Sequence, residues 1–479
     1  MIRAKHISFA LLLCCYLISS IRQSSVSLTC IQILAVIPIT GLYCFVSQLG
    51  HKGQHLLYKG IICAALINFG VMLSQIIPNL FNQVSDIRVP GLFNNPGPCG
   101  CLQATAFVCS FHISRRNITL PCVLLLSIAL TGSRAAVIAS IIGFITSHPL
   151  HFKRLIWIFG GPLIAIAIVM FIIRPESIIG RLLVWRISFT MISESPLLGI
   201  GACRFGRQYM LYQADYFASH GCSNYICYAQ DIIYPFNEYI NILVELGVVG
   251  LILLLALIIT SYLSANRINR ALLATFAVFA FFSYPSEVVI LLLLGITIIA
   301  LSYPKPSDKH IIIHKWISSF IILIGFGAIS ATNMDYLKLL QSKKISGEKN
   351  EICVARNNIK KNVNSWRAAT HLSILLKKYP GEIEAADASL LLPTSDNMIL
   401  LGDYYSGKGN YIKAECYYKT AASMIPYSFL PKQRLWQLYS SLEDNEKAKT
   451  IAESLYSNCL NEGTLGVKTY YEIQSFLKQ

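Results

Sequence analysis

The sequence predicts an all-α polytopic membrane protein of about eleven spans, with a large external loop and a C-terminal α-helical repeat domain. Three observations carry that prediction. Of the 479 residues, 54% are hydrophobic and only 13% are charged. Mean hydropathy is +0.54, above the range of soluble globules, which excludes that class. The charge is also uneven: residues 1–331 hold about 21 Lys and Arg against about 9 Asp and Glu, and the remainder about 19 against about 15. A hydrophobic, basic portion therefore precedes a polar, mixed-charge one.

Apolar runs long enough, or nearly so, to cross a hydrocarbon core of about 30 Å fall near 7–21, 26–48, 57–77, 99–113, 118–131, 134–149, 154–173, 238–263, 271–283, 286–302 and 313–331. The short pair around Pro285 also fits a re-entrant hairpin. The first run reads as a span and not a cleaved signal, because no convincing small-residue cleavage site follows and Arg22 interrupts it. Arg3 and Lys5, Lys52 and Lys59, Arg115 and Arg116, Lys153 and Arg154, Arg267 and Arg270, and Lys305, Lys309 and Lys315 fall in every second connection. The positive-inside rule puts those connections and the N-terminus in the cytoplasm.

With that orientation the external basic residues before residue 331 are all arginine: Arg22, Arg88, Arg134, Arg174, Arg181, Arg186, Arg204 and Arg207. A guanidinium keeps its charge near lipid and offers a planar fork to phosphate oxygens, whereas an ammonium is a hydrated point charge. Arginines that snorkel to outer-leaflet phosphates are the alternative.

Five of these arginines, and no lysine, lie in the long loop at 174–237. Arg174-Pro175-Glu176 has the form of a helix start, with Pro near the first turn and an acid at the positive end of the dipole. Ile178, Ile179, Leu182, Leu183, Trp185, Ile187, Phe189 and Ile192 then make a largely apolar helix at the membrane surface, with Arg181 and Trp185 one turn apart. Pro196 and the glycines of Pro196-Leu-Leu-Gly-Ile-Gly201 end it. An aromatic-rich segment from Arg204 to Phe217 follows, suited to stacking on sugar rings or to an interfacial aromatic belt. The exit reads Asp231-Ile-Ile-Tyr-Pro-Phe-Asn-Glu238.

The ordered set Asn94-Asn-Pro96, Thr131-Gly-Ser-Arg134-Ala-Ala, Arg181 with Trp185, Ser195-Pro-Leu-Leu-Gly-Ile-Gly201, Tyr209 with Tyr212-Gln213, and Asn237-Glu-Tyr followed by Glu245-Leu-Gly-Val-Val-Gly250 resembles the O-antigen ligase and polymerase superfamily. The resemblance covers roughly residues 90–255. It implies a metal-independent glycosyltransferase, with no cofactor, at the periplasmic face of the bacterial inner membrane. Its implied donor is a glycan on undecaprenyl pyrophosphate. The acceptor is lipid A-core in a ligase, another lipid-linked glycan in a polymerase, or a protein hydroxyl in the related O-oligosaccharyltransferases. A non-enzymatic transporter of lipid-linked glycans is the rival class; it needs polar residues distributed through several spans, and few occur here beyond Glu245 and Glu287. No nucleic-acid partner is expected.

Many members of that superfamily place a His before the Asn of the loop exit as base; here the position is Phe236, which takes no proton. Glu238 is the leading substitute, because a partly desolvated carboxylate at a loop-to-helix junction can serve as a base near neutral pH. It is paired with Asn237 as the catalytic candidate, with His220 and Asp231 in reserve. The alternative is that Asn237 and Glu238 cap the following helix. Arg134, Arg181, Arg204 and Arg207 are the expected pyrophosphate contacts, with Trp185, His220 and Glu245 completing the substrate-binding set. Arg134 has a competing structural reading, pairing with Asp86 or Glu287. Glu245, seven residues beyond Glu238 in an apolar span, lies on nearly the same face, so a shared polar groove is expected. No Asp-x-Asp pair or His cluster of ligand-like spacing occurs outside the membrane, so no metal site is expected. Most of the fifteen Cys lie in apolar runs, where Cys is a small buried hydrophobe; Cys222 and Cys227 are the close pair in the loop open to an optional disulfide.

Past residue 331, Leu401-Gly402 with Tyr405, Ala414 with Tyr418 and Ala421, and Pro426 follow the tetratricopeptide pattern. Leu435, Tyr439 and Ala448 repeat it at a period of about 34. Residues 361–392 are expected to hold a degenerate preceding unit. Such repeats bind a protein or peptide and do no chemistry. Odd span parity places them in the periplasm, either recruiting a protein partner or acting as a folded cap. The expected domains are therefore 1–173 and 238–331 in the membrane, 174–237 as periplasmic loop, and 332–479 as periplasmic repeat domain.

Overall fold

The computed structural model describes residues 2–21, 26–81, 88–93, 95–113, 118–147, 156–173, 176–220, 224–302, 348–361, 366–456 and 473–476. Arg22, Asp86, Asn94, Arg174, Cys222 and the apolar run at 313–331 lie outside the described residues, and so does the span parity that would place the C-terminal domain. Among the described residues the regular structure is helical throughout. By contact the chain divides into two compact units. One comprises Met1–Ser177, Pro196–Gly201 and Tyr234–Thr332; the other comprises Ile178–Ser195, Ala202–Ile233 and Asn333–Gln479.

The first unit contains α1 (Ile2–Ile21), α2 (Val26–Ser47), α3 (His51–Phe81), α4 (Pro96–Ile113), α5 (Thr119–Thr131), α6 (Arg134–Ser147) and α7 (Gly161–Ile173), the last entered through a π turn at Ile156–Gly160. Between α7 and the remaining helices of this unit, the chain forms α8 (Glu176–Glu194) and α9 (Phe205–His220). The first unit resumes with α10 (Glu238–Ser264), α11 (Arg267–Phe281), a 3-10 turn at Pro285–Glu287 and α12 (Val289–Leu301). Among the described residues, two segments, His51–Ile77 and Glu238–Ser264, are long and apolar enough to cross a bilayer. His6–Ser20, Val36–Ser47, Thr119–Thr131, Arg134–Ser147 and Val289–Leu301 are shorter apolar helices.

The centre of this unit is α4, buried continuously from Pro98 to Ser110. Small residues such as Gly100, Ala104 and Ala106 let α3, α5 and α6 close around it. Phe107 and Phe111 of α4 meet Phe144 of α6 and Phe159 of the π turn, with ring centroids 5.0–6.3 Å apart. Gln103 links polar groups inside the bundle. Ser127 donates to Gln103 Oε1 at 2.9 Å, and Gln103 Nε2 donates to the Ala65 carbonyl at 3.0 Å.

The apolar run of α10 reads as one continuous helix, yet the structure breaks it at Gly247 (φ 69°, ψ −170°). An unbroken helix would pair Val248 N–H with the Val244 carbonyl and Val249 N–H with that of Glu245. Residues Pro196–Gly201 occupy both rungs. Ile200 and Gly201 donate to the Val244 and Glu245 carbonyls at 2.9 and 3.1 Å, while Val248 and Val249 donate to those of Pro196 and Leu197 at 2.9 and 3.3 Å. Each group left unmade in an apolar setting would cost on the order of 1–3 kcal/mol, so this clip makes the break tolerable. The approach requires two glycines. A Cβ at Gly199 (φ +67°) would lie 2.4 Å from the Glu245 carbonyl carbon, and one at Gly247 2.2 Å from the Leu197 oxygen.

The second unit holds α8 from Ile178, α9, a 3-10 turn at Ile226–Tyr228, and the C-terminal helices α13 (Glu348–Lys361), α14 (Trp366–Lys378), α15 (Asp387–Leu390), α16 (Ser395–Gly407), α17 (Tyr411–Met424), α18 (Phe429–Ser441) and α19 (Asn445–Tyr456). In α16–α19 the side chains picked out by the repeat pattern are buried: Leu401, Tyr405, Ala414, Tyr418 and Ala421, then Leu435, Tyr439 and Ala448. Further back, Arg356 joins α13 to α15, donating to both carboxylate oxygens of the buried Asp387 at 2.7 and 2.8 Å.

Substituting Gly199→Ala or Gly247→Ala is expected to destabilise the protein by about 3 kcal/mol or more, since left-handed strain and backbone overlap add. Gly60→Ala, where nothing lies within 4 Å of the added methyl group, is the neutral control. Thermal unfolding of the detergent-purified variants checks both.

Candidate functional site

At the start of α10 the chain passes through Phe236 in the left-handed region (φ 54°), and Asn237 then caps the helix. The buried Asn237 Oδ1 accepts from Tyr239 and Ile240 N–H at 3.0 and 3.2 Å. Both interactions are those of an N-cap, the alternative the sequence left open. Phe236 is used for packing: it meets Tyr284 edge to face at 5.6 Å, and Tyr234 stacks on the same ring at 3.8 Å. Glu238 turns toward the α11–α12 connection, where its Oε2 accepts from Ser286 N–H at 3.2 Å. This holds the carboxylate beside the 3-10 turn that carries Glu287. Glu245, two turns further along α10 and before the break, is buried.

Arg134 opens α6 after a tight turn in which Ser133 N–H donates to Thr131 Oγ1 at 3.2 Å and Ser133 Oγ accepts from Ala136 N–H at 3.3 Å. Arg88 lies against the same turn, its Cγ 2.7 Å from where a Cβ of Gly132 would sit. Segment 88–93 is held there by α3. Gln75 exchanges two hydrogen bonds with the Gly91 backbone, at 2.7 and 2.9 Å, and Asn68 Oδ1 accepts from Leu92 N–H at 2.7 Å.

These turns belong to one end of the unit. Gly100 packs so closely under the α5–α6 turn that a Cβ would lie 2.9 Å from the Ser133 Cβ, and a Cβ at Gly97 would lie 4.0 Å from Ser283 Oγ in the α11–α12 connection. The N-termini of α4, α6, α10 and α12 therefore converge with Arg88, Arg134 and Glu238. Each N-terminus contributes partial positive charge, a setting that favours an anion. Sequence reasoning singled out Arg134 and Glu238, but left Arg88 out of the site and did not anticipate Ser286 or Tyr284. The placement of Arg88 among the external arginines was the available signal.

The remaining candidates lie in the second unit. Arg181 and Trp185 are one turn apart on α8, and Arg186 stands 5.5 Å over the Tyr216 ring of α9. His220 ends α9, stacked on Tyr216 at 4.5 Å with Nδ1 3.0 Å from the Tyr216 carbonyl. Tyr212 donates to Glu194, and burial followed by that bond pushes its phenol up to about 12. Arg204, next to α9, is half-buried. Arg207 is engaged, with Nη2 donating to the Leu390 carbonyl at 3.2 Å and Nε buried. Burial lowers the Arg207 guanidinium to about 10, which leaves it charged at neutral pH. No group of His, Cys, Asp and Glu side chains able to hold a metal ion occurs among the described residues.

Residues 122–255 match the family model described as O-Antigen ligase. Over this segment the chain is similar to that family. The segment runs from within α5 into α10 and so includes Arg134, the Pro196–Gly201 clip, Asn237, Glu238 and the break at Gly247, whereas Arg88 and Ser286 lie outside it. Comparison with curated proteins and with solved structures finds no match.

In this segment Asn237→Ala is expected to cost about 1 kcal/mol of stability and Asn237→Asp much less, because the carboxylate still accepts from N–H groups at a helix N-terminus. A comparison of melting temperatures decides; equal loss in both variants would remove the cap assignment.

Proposed function

We propose that this protein is a membrane glycosyltransferase of the O-antigen ligase type, moving a glycan from undecaprenyl pyrophosphate to lipid A-core at the periplasmic face of the inner membrane. The observation that carries the reading is the convergence of four helix N-termini with Arg88, Arg134 and the Glu238 carboxylate at one end of the first unit. The acceptor hydroxyl oxygen forms a bond to the anomeric carbon, and the bond from that carbon to the pyrophosphate oxygen breaks. The electron pair leaves with undecaprenyl pyrophosphate, and Glu238 takes the acceptor proton. Negative charge grows on the leaving group, where guanidinium groups and helix N-termini stabilise it more in the transition state than in the ground state. Ser286 N–H holds the Glu238 carboxylate in place. Asn237 acts as the cap of α10. Arg181, Arg204, Trp185 and His220 contribute to substrate binding in this reading, and Glu245 adds a buried polar group along α10.

The test is transfer by purified protein from a lipid-linked donor to lipid A-core. Arg134→Ala is expected to reduce turnover by about 10²–10³-fold, as the loss of one oxyanion-stabilising donor does, and Glu238→Gln to do the same while keeping the Ser286 contact. Full activity in both variants would discard the proposed site. Transfer to a second lipid-linked glycan would make the protein a polymerase, and transfer to a protein hydroxyl an O-oligosaccharyltransferase. Movement of donor across vesicles without transfer would favour the transporter.

A further inference from the structure

The repeats at the C-terminus have an occupant within their own chain. Helix α9 buries a stripe of Phe205, Tyr209, Met210, Gln213, Ala214 and Phe217, spaced to lie on one face. Gln213 is fully buried in that stripe, and its Nε2 donates to the carbonyl of Met424, the last residue of α17, at 2.8 Å. The same nitrogen donates to the Gln230 carbonyl at 3.1 Å. At the opposite kind of helix end, Asp231 Oδ1 accepts from Ser395 N–H at 3.1 Å, at the first residue of α16. Carbonyls at a helix C-terminus and N–H groups at an N-terminus lack partners inside the helix. The loop supplies one of each to the repeats, and Arg207 adds a third tie through the Leu390 carbonyl.

We propose that the C-terminal helical unit is a scaffold that fixes α9, and with it Arg204, for glycan transfer, with Gln213 and Asp231 as positioning residues. The inference rests on the transferase reading. Neither residue touches substrate. Asp231 serves as an external N-terminal cap and not as the catalytic base, and the partner of α17 is the protein's own loop. Two properties of the ties support this. They bind side chains of one segment to main-chain groups of another, so they depend on the position of the helices and tolerate variation in the side chains of the repeats. They also hold α9 and the segment that follows it, one tie within the helix and one past the 3-10 turn beyond it.

The experiment uses the full-length protein in nanodiscs, comparing Gln213→Leu/Asp231→Ala with Asp231→Asn, which keeps an acceptor oxygen. Hydrogen exchange is expected to quicken about tenfold or more across residues 205–220 in the double variant, with α18 and α19 unchanged. With the lipid-linked donor, kcat/KM should fall about tenfold to a hundredfold, mainly through KM, and Asp231→Asn should restore both readouts. Unchanged exchange in the double variant would refute the docking, and faster exchange with undiminished transfer would refute the positioning role. Lost transfer in Asp231→Asn with protection intact would make Asp231 a chemical participant and overturn the assignment. If the wild-type protein transfers no glycan, the proposed function falls, while the exchange measurement still decides whether the repeats hold α9.

Discussion

An apolar helix can be interrupted only where something else satisfies the backbone groups that the interruption exposes, and the organisation of the first unit follows from how α10 meets that demand. Two consecutive rungs open at Gly247, and their donors and acceptors are taken by Pro196–Gly201. The segment is thereby held in main-chain register with a helix that lies later in sequence. Gly199 and Gly247 supply the clearance, and Ser19 of α1 brings its hydroxyl to 3.5 Å from the Glu245 carbonyl. Because the clip is made of backbone groups, its geometry is indifferent to most side chains around it. It depends on glycine at the two points of closest approach.

Above the break, the first turns of α10 present Asn237, Glu238 and Glu245 on a short, well-anchored helix. Asn237 closes its N-terminus, and Glu238 ties it to the connection between α11 and α12. The same end of the unit collects the starts of α4 and α6 with Arg88 and Arg134. Charge complementarity to an anion thus comes from two sources, side-chain guanidinium groups and main-chain dipoles, and only the first is written in the identity of individual residues.

Much of this was legible in the sequence, and what was not has a common physical origin. Periodicity and small residues marked Leu401, Tyr405, Ala414, Tyr418 and Ala421 as helix-contact positions, and all are buried. The strings Ser195–Gly201 and Glu245–Gly250 stood out as motifs, but a linear reading could not reveal that they hydrogen-bond to each other. Gly247 sits in an apolar run whose hydropathy is that of an unbroken span, so composition masked the break. Arg88 belongs to no motif and is placed by Asn68 and Gln75 through contacts to its segment. Gln213 is one amide in an amphipathic helix, a residue whose significance arises only when Met424 is known to face it. Local pattern predicts which residues are buried; it does not predict against what.

The order of synthesis gives the interrupted helix a history. Residues 196–201 leave the ribosome before α10 exists, and an apolar stretch entering the bilayer by itself has no partners but its own carbonyls, so it is driven to insert as an intact helix. Native α10 has instead four bonds with that segment in place of two internal ones. The interruption is thus tied to residues 196–201, and a chain lacking them would leave α10 with no partner for a break.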